Sequence, residues 1–341
     1  MGKRVFISDC EGPISINDNA FELAGHFIED GENFFTIISK YDDILVEEVK
    51  REGYKAGGTL KLIVPFLKAY GATNKNIVGF SKENVLLLPG AKDTLQFVNE
   101  VMPSFIVSTS YEQYIRALCD LIEFPFENTY STKLDMDCCS INVSDKEKLM
   151  EFRKIILENP DFEVLEKIFW EDINKMEIGK IMEEVDPIGG EGKKIAVLDI
   201  ISKFGFNNSD IMYVGDSITD VEPLRFAKEQ GGIAISFNGN EYAIREAEIA
   251  IMADNTVMIS IIADLFNKFG KDEVIKFINS YMDDTEHAIN NYSINNELKE
   301  AIKRVNLPKI ALINDENFEM LVDESKAFRR LVRGEAIGAL G

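Results

Sequence analysis

Ile211-Met212-Tyr213-Val214-Gly215-Asp216-Ser217-Ile218-Thr219-Asp220 is an apolar run that stops at a glycine and passes directly into the pattern GDxxxD. A short apolar run bounded in this way reads as a buried strand. It delivers a carboxylate to its C-terminal end. Other runs behave alike: residues 4–8 (RVFIS) lead to Asp9, residues 105–107 lead to Ser108, and residues 232–235 lead to Ser236. Each is followed by helix- or turn-forming residues, and this alternation implies an α/β fold with a parallel sheet. In such sheets the ligand crevice lies at the carboxyl ends of the strands. Asp9, Ser108 and Asp216 are therefore expected to converge.

Asp9-Cys10-Glu11-Gly12-Pro13 places one carboxylate at a strand end and a second two residues on, before a turn that glycine permits. The pair suits phosphoryl transfer, because one ionised carboxylate can attack phosphorus while the other, protonated, serves the leaving oxygen and then water. A hard cation wants oxygen ligands, so Asp216 beside Asp9 is a candidate site for Mg²⁺. Asp220 either binds through water, orients a neighbour, or caps the following helix.

Gly189-Gly190-Glu191-Gly192-Lys193-Lys194 precedes an amphipathic run over 195–204 that ends at Gly205. A lysine opening this helix can reach phosphate and offset charge between nucleophile and metal. A P-loop is excluded, since it needs glycine where Pro187 stands and a hydroxyl residue where Lys194 stands. A dinucleotide fingerprint lacks its preceding strand. Ser108-Thr109-Ser110 offers hydroxyls and backbone N–H groups before a helix over 112–122, which makes Ser108, then Thr109, the candidate phosphate ligands.

Composition narrows the rest. Acidic residues outnumber basic ones by 59 to 37 and the net charge is −22, which argues against nonspecific affinity for nucleic acid or anionic lipid. A phosphorylated substrate must then meet local positive charge. The two histidines, His26 and His287, lie in unrelated contexts and rule against a Ser-His-Asp or His-rich zinc centre. Cys10, Cys119, Cys138 and Cys139 lack metal-ligand spacing and are expected as reduced thiols. No secretory signal and no membrane-spanning stretch are read, so a cytoplasmic protein without membrane insertion is expected.

The segments around Asp9, Ser108, Lys193 and Asp216, in this order, resemble the four motifs of the haloacid-dehalogenase superfamily, with a core similar to that of phosphoserine phosphatase. The resemblance implies a three-layer Rossmann-like parallel sheet with a helical cap insertion and a C-terminal helical extension. It covers the core, residues 1–14, 86–124 and 188–253, while helical periodicity marks 15–85 as a helical cap, 125–187 as a second insertion and candidate extension of the cap, and 254–341 as a helical appendage. It also implies a Mg²⁺-dependent phosphatase acting on a small phosphomonoester through a phosphoaspartate. Asp9 would be the nucleophile, Glu11 the acid/base whose backbone carbonyl also binds the metal, and Asp216 and Asp220 the further metal residues. Ser108 and Thr109 would bind the phosphate, and Lys193 would be the motif lysine, with Lys194 as the alternative in that register. Most superfamily phosphatases carry aspartate where Glu11 stands, although enolase-phosphatases share the D-x-E-G pattern.

Helical periodicity is read over 19–28, 42–52, 257–269, 273–282, 297–305 and 318–332, with an apolar stretch over 60–67, strand-like pieces over 130–140 and charged helices over 145–184. The C-terminal helices are candidates for contact with a second copy or a protein partner. The Lys-, Asn- and Ile-rich composition resembles that of methanogenic archaeal chains labelled accessory subunits of a membrane-bound energy-converting hydrogenase. A soluble accessory or assembly subunit with this fold is therefore an alternative expectation. It would not be an electron carrier, since no cluster-binding cysteine pattern is present. A phosphotransferase or mutase would use the same residues.

Overall fold

The computed structural model describes residues 4–138 and 140–340; Cys139 lies outside the described residues. Its centre is a seven-stranded sheet built from β1 (Val5–Ser8), β2 (Ser104–Tyr111), β3 (Thr129–Thr132), β4 (Ile211–Gly215), β5 (Ile233–Phe237), β6 (Ile249–Met252) and β7 (Lys309–Leu312). The order across the sheet is β3-β2-β1-β4-β5-β6-β7. All neighbours are parallel except β6 and β7. β1, β4 and β5 are buried along their whole length, which is why they read as continuous apolar runs rather than as alternating ones.

Alternate residues of each strand serve opposite faces. Phe6, Ile106, Met212 and Ile235 pack with the helices Ala91–Val101, Glu112–Ile122 and Val257–Phe269. Val5, Ile7, Val107 and Tyr213 pack with Glu191–Phe204 and, through Leu224 and Ala227, with Val221–Glu229. The architecture is thus three-layered α/β, with a helical insertion after β1 and a C-terminal extension.

The strand at Ser108 continues to Tyr111, past the residues 105–107 read from sequence, and the register between β2 and β3 shifts between Val107 and Tyr111. β3 lies inside the segment 125–187 and closes one edge of the sheet, while β7 lies inside the appendage 254–341 and closes the other. Both are short edge strands whose pairing, not their hydrophobicity, defines them. The helix read over 42–52 instead spans Gly31–Glu47. Phe34, Phe35, Ile38, Tyr41 and Leu45 give it a buried face at helical spacing.

The segments 15–85 and 125–187 share a single apolar core, in which Phe34, Ile38 and Phe66 from the first meet Leu149, Ile156, Phe169 and Ile173 from the second. Polar contacts tie them further. Tyr41 and Arg51 both donate to Glu166, with Arg51 Nη1 at 2.7 Å from Oε1, and Trp170 Nε1 donates to the Tyr41 hydroxyl at 2.8 Å. The helix Phe318–Arg333 buries Leu321 and Val322 against Ile244, Ala250 and Met252, which carries its last turns toward the carboxyl ends of the strands. Among the described residues, no helix is long and apolar enough to cross a membrane.

Candidate active site

β1 and β4 are neighbours in register, with Ser8 opposite Val214, and the backbone N–H of Asp9 donates to the Val214 carbonyl at 2.8 Å. Asp9 and Asp216 therefore leave adjacent strand ends and come together although far apart in sequence. Two glycines make the approach possible. Gly12 has φ +101°, and a Cβ there would stand 2.2 Å from Asp216 Oδ2. A Cβ on Gly215 would stand 2.4 Å from Asp220 Cγ.

Lys193, with no exposed surface, opens the helix Glu191–Phe204 and places Nζ 2.7 Å from Asp9 Oδ2 and 2.8 Å from Asp220 Oδ1. Lys194, one residue on, points to Glu191 at the surface. Asp220 is fully engaged. Its Oδ1 also accepts from the Tyr213 hydroxyl at 2.7 Å, and its Oδ2 accepts from the backbone N–H groups of Asp216 and Ser217 at 3.0 and 3.2 Å. Its side chain does not cap the helix Val221–Glu229. It orients Lys193 and the turn after β4.

Asp9 Oδ1 accepts from the Cys10 backbone N–H at 2.6 Å. Burial lifts the Asp9 carboxyl to about 8, with Lys193 pulling against the shift and Asp220 and Asp216 adding to it. Glu11 accepts from the Asn19 backbone N–H at 2.7 Å, and burial, reinforced by Asp18, holds its carboxyl well above the usual range. A carboxyl whose proton affinity is raised in this way is suited to proton donation. Asp18 itself is raised, chiefly by burial.

Ser108 is buried, and its hydroxyl donates to Ser110 Oγ at 3.2 Å while accepting the Ser110 N–H at 3.2 Å. Thr109 and Ser110 line the cleft beside Asp9, Glu11 and Asp216, but the Thr109 hydroxyl donates to the Ile188 carbonyl at 2.9 Å. Cys10 and Cys119 are buried thiols outside any disulfide.

Two further residues complete the site, and no motif announced them. Arg329 and Arg333 reach in from the last turns of Phe318–Arg333, and both pair with Oδ2 of Asp216, Arg333 at 3.1 Å. Their i, i+4 spacing puts them on one helix face. That spacing was the available signal, yet a basic pair ending an amphipathic helix reads equally well as solvated surface.

Carboxylate oxygens of Asp9, Asp216 and Asp220 lie within 4.8 Å of one another. Hard oxygen donors in a buried cluster fit a divalent cation such as Mg²⁺. With Asp220 engaged by other donors, Asp9 and Asp216 are the side chains best placed to hold it.

Among solved structures, one of phosphoserine phosphatase with bound substrate matches with a TM-score of 0.50 and 14% identity, over 76% of this chain and 97% of that one. The core has the haloacid-dehalogenase-type fold. Gene product AF1437 from Archaeoglobus fulgidus is similar over 99% of both chains, with 28% identity and a TM-score of 0.84. The whole arrangement, cap and C-terminal extension included, recurs in that protein. A HAD family hydrolase from Salmonella enterica matches with a TM-score of 0.46 and 12% identity over 71% of this chain and 65% of that one. No protein-family model and no curated protein matches the chain.

Proposed function

We propose that the protein is a Mg²⁺-dependent phosphohydrolase of small phosphomonoesters, working in the cytoplasm of an archaeal cell. The observation that carries this reading is the buried Asp9–Lys193–Asp220 chain set against Asp216 at the ends of adjacent parallel strands. Asp9 attacks phosphorus, forming the Asp9 Oδ–P bond as the ester P–O bond breaks, and Glu11 gives its proton to the leaving oxygen. The ionised Glu11 then takes a proton from water, which attacks the phosphoaspartate and releases phosphate from Asp9. A cation held by Asp9 and Asp216, with the Glu11 backbone carbonyl, would neutralise phosphoryl charge and draw the Asp9 carboxyl back toward its ionised form. Lys193 fixes Asp9 for attack and offsets its charge. Ser108, Thr109 and Lys194 are the further substrate-side candidates, of which Thr109 is nearest to the cleft.

The cleft between core and cap has a cavity volume of about 110 Å³, and Phe35, Asp42 and Asp43 of the cap face the core residues across it. That scale suits a small ligand. The test is phosphate release from a panel of small phosphomonoesters with Mg²⁺, comparing wild type, wild type with EDTA, and Asp9→Asn. Metal-dependent release that disappears in Asp9→Asn is expected. Unchanged release by Asp9→Asn would overturn the mechanism, and silence across the panel would favour an assembly subunit. Transfer of the phosphoryl group to an added alcohol, in place of its release, would indicate a phosphotransferase.

A further inference from the structure

The cation paired with Asp9 is already committed. Lys193 is held between two carboxylates, and the rest of the cleft is acidic, with Glu11, Asp18, Asp42 and Asp43 on its walls. A phosphate dianion entering such a site needs a cation that can turn to it. The two arginines of the C-terminal helix differ in this respect. Arg333 spends its donors on the protein: Nε on the Ile16 carbonyl at 3.1 Å, Nη2 on the Asn17 carbonyl, and Nη1 on Asp216 Oδ2 at 3.1 Å. It clamps the chain where the core passes into the cap.

Arg329 lines the cleft with its side chain 4% exposed, and among the described residues its hydrogen bonds run through Nη1 alone, to the Asp216 carboxylate, the Asp216 carbonyl at 3.2 Å and the Asn238 carbonyl at 3.5 Å. Its Nε–H is buried without an acceptor among the described residues. A buried guanidinium sharing one carboxylate oxygen with a second guanidinium, and keeping an unused donor, is under-satisfied by the protein. It is also held in place. Ser325 Oγ, one turn earlier, donates to the Gly239 carbonyl at 2.7 Å, and Arg333 pins the turn after it. The guanidinium touches Asp216, which has a carboxylate oxygen within 4.8 Å of one of Asp9, and Arg329 lines the same cleft as Asp9.

We propose that Arg329 is a phosphate-binding residue of this site, contributed by the C-terminal helix, which donates to an oxygen of the transferring phosphoryl group, with Arg333 as the positioning residue that holds the helix end against the cap hinge. This rests on the phosphatase reading above. It gives the C-terminal extension a direct part in substrate binding.

The experiment titrates inorganic phosphate into the full-length, Mg²⁺-loaded protein by calorimetry and, in parallel, follows hydrolysis of p-nitrophenyl phosphate. Wild type is compared with Arg329→Gln, Arg329→Met and the neighbouring surface variant Arg330→Gln. The expected result is at least a tenfold loss of phosphate affinity and a raised KM in both Arg329 variants, and wild-type behaviour in Arg330→Gln. A merely structural Arg329 would lower the melting temperature and leave phosphate affinity intact in the folded fraction. A folded Arg329→Gln or Arg329→Met that binds phosphate like wild type overturns the proposal while leaving the phosphatase reading in place. Wild type that neither hydrolyses the ester nor binds phosphate overturns both. Should neither variant fold, a crystal structure of the wild type with inorganic phosphate decides: the Arg329 guanidinium within hydrogen-bond distance of a phosphate oxygen supports the assignment, and a bound phosphate away from it ends it.

Discussion

Lys193 and Asp9 form a buried ion pair, Nζ to Oδ2 at 2.7 Å, with side-chain exposures of 0% and 6%. Asp220 holds the same ammonium from the other side at 2.8 Å. The pair is internal to the core, so it bears on folding as well as on chemistry.

Removing the ammonium leaves two buried carboxylates facing each other. Lys193→Met is expected to cost about 3–5 kcal/mol of stability, the range for breaking a buried pair from one side, and to abolish phosphate release. Lys194→Met, which loses only a surface pair with Glu191, is expected to stay within about 0.5 kcal/mol of wild type. Denaturant unfolding of the two variants checks this. Equal effects would remove the distinction between the lysines.

Glu11→Gln keeps the size of the side chain and its hydrogen bond from the Asn19 N–H but removes the transferable proton. A fall in kcat of about 10²–10⁴ with little change in KM is expected for loss of a general acid/base. Steady-state kinetics on any hydrolysed ester tests it, and an unaffected kcat would strip Glu11 of the role.

Gly12→Ala combines a left-handed backbone at φ +101° with a Cβ 2.2 Å from Asp216 Oδ2. Asp216 must then shift away from Asp9. The substitution is expected to cost about 1–3 kcal/mol and to abolish the rise in melting temperature that Mg²⁺ gives the wild type by mass action. Thermal melts with and without Mg²⁺ read both effects.

The Asp43 carboxyl on the cap is lifted from 3.8 to about 7, first by burial and then by Asp42 and Glu47. The folded state therefore holds this proton more tightly than the unfolded state. Its contribution to stability is full below the unfolded value and is lost as pH rises to about 7. Asp43→Asn removes the titration. Relative to wild type, the variant should gain stability above about pH 7 and gain nothing below about pH 4. Chemical denaturation at the two extremes checks the sign.

Phe169 joins the two insertions, with its ring centroid 5.8 Å from Tyr41 and 6.0 Å from Phe66 and no exposed surface. Phe169→Ala is expected to cost about 3–5 kcal/mol. Hydrogen exchange should show the loss in residues of both segments. A change confined to residues near 169 would mean that the cap does not behave as one body.

The sheet was legible because its central strands are buried on both faces and so appear as uninterrupted apolar runs, each stopping at the residue that turns into the crevice. Asp9, Glu11, Lys193 and Asp216 could be picked out for that reason: each sits next to a strand end or helix start that its own neighbours define. β3 showed only as part of the strand-like pieces over 130–140 and β7 carried no signal, since edge strands of four residues gain their identity from the strand they pair with. The union of residues 15–85 and 125–187 was equally hidden, because an apolar helix face does not name its partner.

By itself, then, the sequence determined the alternation of strand and helix, the carboxylates at the strand ends and the lysine that opens its helix, all of them local patterns spanning a few residues. Tertiary structure alone decided that Asp220 is spent on orienting Lys193 and that Arg329 and Arg333 close on Asp216 from a helix 113 and 117 residues further along the chain. The physical reason is the range of the interactions. Backbone preference and hydrophobic period act between near neighbours, whereas a buried charge finds its counter-charge only after the packing of apolar faces has fixed which distant segments share the same interior.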